Sequence, residues 1–425
     1  MLKVVLALSF GVLLAACGGG RSSGGSTSSS GGVASGSPIK IGQIVDISAG
    51  PFQVTGAASH LATDMVVDQV NASGGINGHK LEVVYADAKG DPQLALTLAT
   101  QLAQQDHVDV LIGGAGSPEC LGIQQLAPKL GIVYMPTNGC ANEQFSVQSC
   151  NKYSFRIDPV GKQQIEPSVD YLLKNVGKRW AIMYQDYAYG QSQEAAFRTA
   201  LQKGGGSVAI SIPVPLTETN VTPYLTKIPT DGSIDGVILG AAPQGQASMA
   251  SGIQQFSINK KLAIAGVATR EQYGGVYPDA LNGAIGVPTV HISDPLPDNK
   301  DDQAFEAAFK AQMTKEPQFA DVFGGVSKGV PGQNGYAAYI AATSLKRAMI
   351  NAKFSGKADT EKLIAAFESL NIPQGPDAPD GSIVMNKSDH QGRTTTFLPK
   401  INGQKDEIVL TIPTDKIGSI GDCKV

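Results

Sequence analysis

The sequence predicts an α/β protein whose mostly parallel sheets are flanked by helices. Short apolar runs typical of buried strands alternate with segments whose apolar residues recur at helical spacing. This alternation fills two successive blocks, residues 38–157 and 158–288. Strands that alternate with helices form parallel sheets, because each helix returns the chain to the same edge. Ligands of such sheets bind at the carboxyl ends of the strands.

The first block carries clear strand and helix signals. Apolar runs predict three strands, at 39–45, 81–85 and 108–112. Between the first two, Leu61, Met65 and Val70 recur on one helix face. Asp91 followed by Pro92 is typical of a helix start, because aspartate caps the first turn and proline fits it.

The second block repeats the alternation, and the remainder of the chain changes character. Apolar runs predict four strands, at 180–184, 208–212, 236–239 and 262–265. Helical spacing then predicts two long helices, at 302–314 and 335–351. The final runs predict antiparallel strands, at 383–385, 394–398 and 408–411.

The N-terminal segment indicates export. Residues 1–16 have the charged start, apolar middle and small-residue end of a signal peptide. Their apolar run is shorter than the roughly 20 residues that a permanent membrane helix needs. The stretch Leu14 to Cys17 resembles the bacterial lipobox, which predicts lipidation of Cys17. The alternative is a plain signal peptide with an incidental cysteine. Residues 17–37, rich in glycine and serine, predict a flexible tether.

Charge and motif content exclude several classes of function. Lys and Arg number 33 against 37 Asp and Glu, without a basic block, so we expect no nucleic-acid partner. The five histidines are scattered, and neither GxSxG nor HExxH occurs. The loop 113–117 lacks both the GxGxxG order and the Walker lysine. We therefore expect no enzymatic activity, no cofactor and no metal.

Four cysteines follow Cys17, at 120, 140, 150 and 423. An oxidising, extracytoplasmic setting favours their pairing, and four cysteines allow three connectivities. The pair Cys140–Cys150 closes the shortest loop and is the predicted disulfide. The pair Cys120–Cys140 is the alternative.

Several segments, in order, resemble the leucine/isoleucine/valine-binding family, the type I periplasmic solute-binding proteins of ATP-driven importers. They are KIGQIVDISAGPFQVTG (40–56), NASGGINGHKLEVVYADAKGDPQLAL (71–96), DVLIGGAGSPEC (109–120), YSFRIDP (153–159), YQDYAYGQ (184–191) and DGVILGAAPQG (235–245). The resemblance implies two lobes, joined by a three-segment hinge, that close on a ligand. Lobe one would hold 38–157 plus 290–380, and lobe two 158–288 plus 381–425.

The resemblance also implies ligand-binding residues on lobe one. The residue aligned with Ser117 holds the ligand carboxylate in the family, next to helix N–H groups that suit an anion; a plain N-cap role is the alternative. Asn138 and the backbone N–H of Cys140 would follow the next strand, the cysteine standing where the family has threonine. Phe52 and Gln53 would face the same cleft.

On lobe two, the family's ligand-contacting tyrosine aligns with Tyr189, with Tyr187 beside it. The alternative for both is packing at the sheet edge. The family places an acid that pairs the ligand ammonium where this chain has Ala268, and a buried ammonium without a counter-charge is unfavourable. Either the ligand is not an α-amino acid or another acid substitutes, the nearest in sequence being Glu119, Asp186 and Glu271.

The resemblance implies an extracytoplasmic, membrane-anchored substrate-binding lipoprotein of an ABC importer. It would capture a small polar organic solute: a branched-chain amino acid, or an amino-acid-like amide or carboxylate. Its partners would be the permease and ATPase subunits, and it would act as a monomer. The alternative is a receptor of the same fold that senses its ligand and signals to a membrane partner.

Overall fold

The computed structural model describes residues 34–138, 140–141, 144–158, 161–421 and 423. The predicted signal peptide, the predicted lipidation of Cys17 and most of the predicted tether lie outside these residues. Regular structure begins at Gly36, within the last residues assigned to the tether. No helix in the described ranges is both long enough and apolar enough to cross a bilayer.

The first block forms a four-stranded parallel sheet with helices between its strands, as predicted. Along the chain its elements are β1 (Gly36–Val45), α1 (Gln53–Ala72), β2 (His79–Asp87), α2 (Pro92–Gln104), β3 (Val110–Gly113), α3 (Ser117–Leu130) and β4 (Val133–Met135). The strands lie in the order β2–β1–β3–β4. Helix α2 starts where predicted, because the Asp91 side chain accepts hydrogen bonds from the amides of Gln93 and Leu94.

The second block contributes five parallel strands to a larger sheet. Its elements are α4 (Lys162–Asn175), β5 (Arg179–Asp186), α5 (Ala188–Lys203), β6 (Ser207–Pro215), α6 (Thr222–Leu225), β7 (Gly236–Gly240), α7 (Pro243–Gln255), β8 (Ala263–Val267) and β9 (Ile285–Gly286). Their apolar side chains fill the core on both faces of this sheet.

The rest of the chain adds helices and strands to both blocks, and its first three strands form a separate three-stranded antiparallel sheet. Its elements are α8 (Lys300–Lys315), α9 (Gly332–Ala352), α10 (Thr360–Glu368), β10 (Asn371–Ile372), β11 (Ile383–Asn386), β12 (Gln391–Arg393), β13 (Thr396–Asn402) and β14 (Lys405–Ile412). Strands β13 and β14 are antiparallel, as predicted, and complete the seven-stranded order β14–β13–β9–β8–β7–β5–β6. Helices α8, α9 and α10 join the core of the first sheet, where alanines let α9 pack closely on α1.

The two sheets and their helices form two lobes, and the chain crosses between them three times. Two crossings lie after residue 158 and at 287–292, and the third follows β12, at 394–395. Ile383 and Met385 pack in the core of the first lobe, although the prediction assigned 381–425 to the second. The predicted boundary between the lobes was placed near 381 because the sequence pattern changes there from helices to strands. Those strands, however, divide between the two lobes.

The crossing segments lie side by side. Arg156 pairs with Gln391 in a parallel bridge, and Thr289 pairs with Phe397 in an antiparallel one. The amide of Gly392 donates to the Arg156 carbonyl over 2.6 Å. A short set of paired segments is a suitable hinge, because small backbone rotations there move whole lobes.

The disulfide prediction Cys140–Cys150 is wrong. The structure pairs Cys120 with Cys140, the alternative, and Cys150 with Cys423. Cys120 lies near the start of α3 and Cys140 follows β4, so the adjacent ends of β3 and β4 bring their Cα atoms to 6.2 Å. Cys150 instead faces the C-terminal segment, 273 residues away in sequence. Loop length therefore did not decide the pairing.

Removing the Cys120–Cys140 disulfide is expected to lower the free energy of unfolding by about 3 kcal/mol. The bridge closes a loop of 20 residues, and both cysteines are fully buried. The measurement is urea denaturation of a C120A/C140A variant against wild-type protein. The C120A single variant, which breaks the bridge but keeps the Cys140 side chain, controls for lost packing. Equal midpoints for wild type and double variant would contradict the prediction.

Candidate functional site

A cavity lies between the lobes, at the carboxyl ends of both sheets. The first lobe lines it with Phe52, Thr55, Ala115, Asn138, Gln333 and Asn334. The second lobe lines it with Tyr187, Tyr189, Gln193, Leu239, Gly240, Ala241, Ala242, Pro243, Gln246, Gly266, Ala268 and Gln272, and the crossing segment adds Val287. The position is where a parallel α/β sheet binds its ligands.

Aromatic rings form one wall of the cavity. The ring centroids of Phe52 and Tyr187 are 6.0 Å apart, and those of Tyr187 and Tyr189 are 6.1 Å apart. Phe52 sits against Gly116, where a Cβ atom would lie 2.4 Å from the ring, so a larger residue would displace it. Burial raises the pKa of Tyr189 to about 12, so its phenol stays a hydrogen-bond donor at neutral pH.

Carboxamides supply most of the polar side-chain groups in the cavity. Gln246 is held in place, since its Nε2 donates to the Gly266 carbonyl and its Oε1 accepts from Tyr273. Asn138 is 2% exposed, and its Nδ2 has no hydrogen-bond partner within the described part of the chain. Within the described ranges, no lining residue carries a formal charge at neutral pH. A ligand acceptor in the cavity can therefore meet the Asn138 amide.

The first-lobe loop after β3 is capped internally. The Glu119 carboxyl accepts hydrogen bonds from the amides of Ala115 and Gly116, over 3.1 and 3.4 Å. Burial, together with the neighbouring Asp46 carboxylate, raises the pKa of Glu119 to about 9, and the two carboxyls are hydrogen-bonded. These amides, which the sequence suggested for a ligand carboxylate, are occupied in this structure.

The second candidate acid, Glu271, connects the lobes instead of facing the cavity. Its Oε1 accepts from the Thr269 hydroxyl over 2.8 Å and from Asn334 Nδ2 over 3.2 Å. The amide of Gln333 donates to the Thr269 hydroxyl over 3.1 Å. The start of α9 in the first lobe is thus capped by the second lobe. Burial raises the pKa of Glu271 to about 7.

The third acid, Asp186, is exposed and accepts a hydrogen bond from Gln191 Nε2 over 2.8 Å. It does not line the cavity. None of the three acids nearest in sequence therefore takes the place of an acid at Ala268, which is 4% exposed and lines the cavity.

The structure brings five of the eight predicted ligand-binding residues to the cavity: Phe52, Asn138, Tyr187, Tyr189 and Ala268. Their contact with a ligand stays a prediction.

The other three lie elsewhere. Ser117 is fully buried, and its Oγ accepts from the Ala141 amide over 3.2 Å. Cys140 is buried in its disulfide, and the Gln53 side chain donates to the Ile47 carbonyl over 2.9 Å.

The sequence did not single out the carboxamides at 193, 246, 272, 333 and 334. Gln246 lies in the first turn and Gln193 in the second turn of helices that follow a strand, and these positions could have signalled them. Gln333 and Asn334 reach the site from a distant part of the chain, and no local pattern marks them.

In the part of the chain that the structure describes, two groups of side chains away from the cavity have metal-ligand types: His60 with Asp64 and Glu316, and His291 with Asp302 and Asp380. His291 is fully buried, with Nδ1 2.6 Å from Asp380 Oδ2 and Nε2 3.1 Å from Glu306 Oε1. We interpret it as an ion-pair network that ties the second crossing segment to α8. The members of this network are far apart in sequence, so no short spacing typical of metal ligands could have revealed the network.

The sequence model of the periplasmic binding protein family matches residues 38–406. A curated relative, Leu/Ile/Val-binding protein homolog 8 of Brucella abortus (strain 2308), is 23% identical over 371 residues, which cover 84% of this chain and 86% of that protein.

Solved structures share the fold. A solute-binding protein of an ABC transporter from R. palustris, in complex with 4-hydroxybenzoate, superposes with a TM-score of 0.74 at 20% identity, over 89% of this chain and 97% of the other. The closed conformation of a leucine-, isoleucine-, valine-, threonine- and alanine-binding protein from Brucella ovis gives a TM-score of 0.75 at 19% identity, over 90% and 97%.

Proposed function

Because this chain belongs to the periplasmic binding protein family, we propose that it is the substrate-binding lipoprotein of an ABC importer. It captures a small polar organic solute outside the cytoplasm and delivers it to a membrane permease with its ATPase. The observation that carries the proposal is the cavity walled by both lobes at the carboxyl ends of their sheets. Relatives named for solute binding and ABC transport support it.

The mechanism follows from the crossings and the cavity. In the open state, the solute contacts the first-lobe wall at Phe52 and Asn138. Rotation at the three crossing segments then brings Tyr187, Tyr189 and Ala268 over its other side. The solute shifts the equilibrium toward closure only through contacts that both lobes make at once. No covalent bond of the solute changes.

The membrane attachment in this proposal is lipidation of Cys17, supported by the lipobox-like stretch before it. Stable anchoring needs more than one acyl chain, which a lipidated N-terminal cysteine supplies. If a Cys17→Ala variant, expressed in a bacterial host, stays with the membrane fraction to the same extent as wild type, the anchor is not at this residue.

Closure on a solute is the result we expect from titrating the full chain. Small polar metabolites that bind in calorimetry should also reduce the radius of gyration in X-ray scattering. Filling the cavity with Ala242→Phe should abolish both effects, because Ala242 is buried in the cavity wall. The control is Ala365→Phe, the same substitution at an exposed position in α10. Absence of binding and of compaction across a panel of amino acids, carboxylates, amides and polyols would overturn the proposal.

A further inference from the structure

We infer that the cavity selects a carboxylate that carries a compact apolar body and no amine, such as a 2-oxo acid or an aromatic acid. The inference rests on the proposed function, because it names the class of solute that the same cavity takes. It depends on three observations: which helix N-termini face the cavity, the unpartnered side-chain amide of Asn138, and the positions of the acidic side chains.

Three long helices begin at the cavity wall with apolar residues in their N-cap positions. Phe52, Tyr187 and Ala242 are the N-caps of α1, α5 and α7, and none of these helices has a side-chain cap. Apolar residues are poor N-caps, since they leave the first-turn amides without an acceptor. The three residues instead pack together at the cavity. The first-turn amides and the positive ends of three helix dipoles are left for an anion.

The other two helix starts near the cavity are capped in the ways already described. Glu119 occupies the amides before α3, and Thr269 with Glu271 meets the start of α9. The described residues therefore supply a side-chain acceptor at two helix starts and none at the other three. This difference places the anion-binding end of the cavity at α1, α5 and α7.

The Asn138 side chain provides a separate sign of a ligand acceptor. It is 2% exposed, it lines the cavity, and its Nδ2 finds no acceptor among the described residues. A buried donor without an acceptor is unfavourable, because it has lost its hydrogen bonds to water. A carboxylate oxygen removes that cost, and a charged acceptor strengthens the hydrogen bond.

Among the described residues, an ammonium group would have no partner in the same cavity. The lining residues of that part of the chain carry no carboxylate, and Glu119 and Glu271 have their own buried partners. An ammonium moved from water into such a site without a counter-charge is strongly disfavoured. The three dipole ends would repel it as well. The site therefore distinguishes an amino acid from its amine-free analogue.

The rest of the wall suits an apolar body. Phe52, Tyr187 and Leu239 line the cavity, and the tyrosine phenols stay protonated because burial raises their pKa. Aromatic side chains bury a large apolar area against a planar ring or a branched alkyl group.

The test is calorimetric titration of the full chain with matched pairs of solutes. Leucine and 4-methyl-2-oxopentanoate differ only at the amine, and benzamide and benzoate differ only at the anionic group. We expect the oxo acid to bind at least about 100-fold more tightly than leucine, and benzoate about 10-fold more tightly than benzamide. Leucine affinity equal to or above that of its oxo acid would overturn the inference, as would equal affinity for benzamide and benzoate.

Substitutions at Ala268 provide a second measurement. Ala268→Asp adds an anion to the wall, and Ala268→Asn adds a neutral group of the same shape. The aspartate variant should lose about 100-fold in affinity for the preferred carboxylate, while the asparagine variant changes it by less than about 10-fold. Equal losses in the two variants would overturn the inference. Closure on an amine or a neutral solute alone would overturn the inference and leave the proposed function standing, whereas no closure on any solute overturns both.

Discussion

Replacing Gly113 by alanine is expected to lower the free energy of unfolding by more than about 4 kcal/mol. Gly113 ends β3 with φ of +98°, a conformation that residues with a Cβ atom rarely adopt. A Cβ atom there would lie 2.0 Å from the Ile44 carbonyl oxygen. That oxygen belongs to β1 and accepts from the Gly114 amide, so it cannot move without separating two paired strands.

The control is Gly131→Ala. Gly131 also has a positive φ, +59°, but a Cβ atom would meet nothing within 4 Å. Its replacement should cost only about 1 kcal/mol, the conformational term without the clash. Urea denaturation followed by far-ultraviolet circular dichroism measures both variants. If the Gly113 variant is as stable as the Gly131 variant, the close approach of β1 and β3 does not hold.

The free energy of unfolding is expected to fall as pH rises from about 5 to about 9, because Asp46 and Glu119 share a buried site. The pKa of Glu119 is 4.5 in an ordinary environment and about 9 in the folded protein, through burial and the neighbouring Asp46. Between these values the folded protein holds one proton that the unfolded chain has released. Stability then decreases by up to about 1.4 kcal/mol per pH unit, so the total loss is several kcal/mol.

Glu119→Gln isolates this contribution. Glutamine stays neutral, can donate to Asp46, and can accept from the amides of Ala115 and Gly116. The variant should show a flatter stability profile than wild type between about pH 7 and pH 9, a range above the pKa of the buried Glu271 carboxyl. Glu361→Gln, at a side chain that is 70% exposed, should leave the profile unchanged. Parallel profiles for wild type and the Glu119 variant would contradict the shared proton.

The parallel sheets could be predicted from the sequence because each buried strand carries its own apolar run. The start of α2 could be predicted for the same reason, because Asp91 and Pro92 signal it within two adjacent residues. The tail was harder, since β11 and β13 have similar strand patterns but pack in different lobes. The pairing of Cys150 with Cys423 depends on the folded path of the whole chain, and no local spacing encodes it.

The candidate site could be predicted only in part, for a related reason. Phe52, Asn138 and Tyr189 each follow a strand, and strand ends in parallel sheets converge. Ser117 occupies such a position too, but its side chain turns toward Ala141. One local signal was available: Glu119 stands three residues after Gly116, the spacing of a glutamate that caps a helix start. It would have indicated that those amides were already occupied.

The contact of Glu271 and Thr269 with the start of α9 has a consequence for release of the bound molecule. Separating the lobes breaks these hydrogen bonds. It leaves the first amides of α9 without an acceptor and exposes the buried Glu271 carboxyl to water. Contact between the lobes is thus stabilised by hydrogen bonds within the protein as well as by the solute. Whatever opens the protein to discharge the solute has to break these interlobe hydrogen bonds as well as the contacts with the solute.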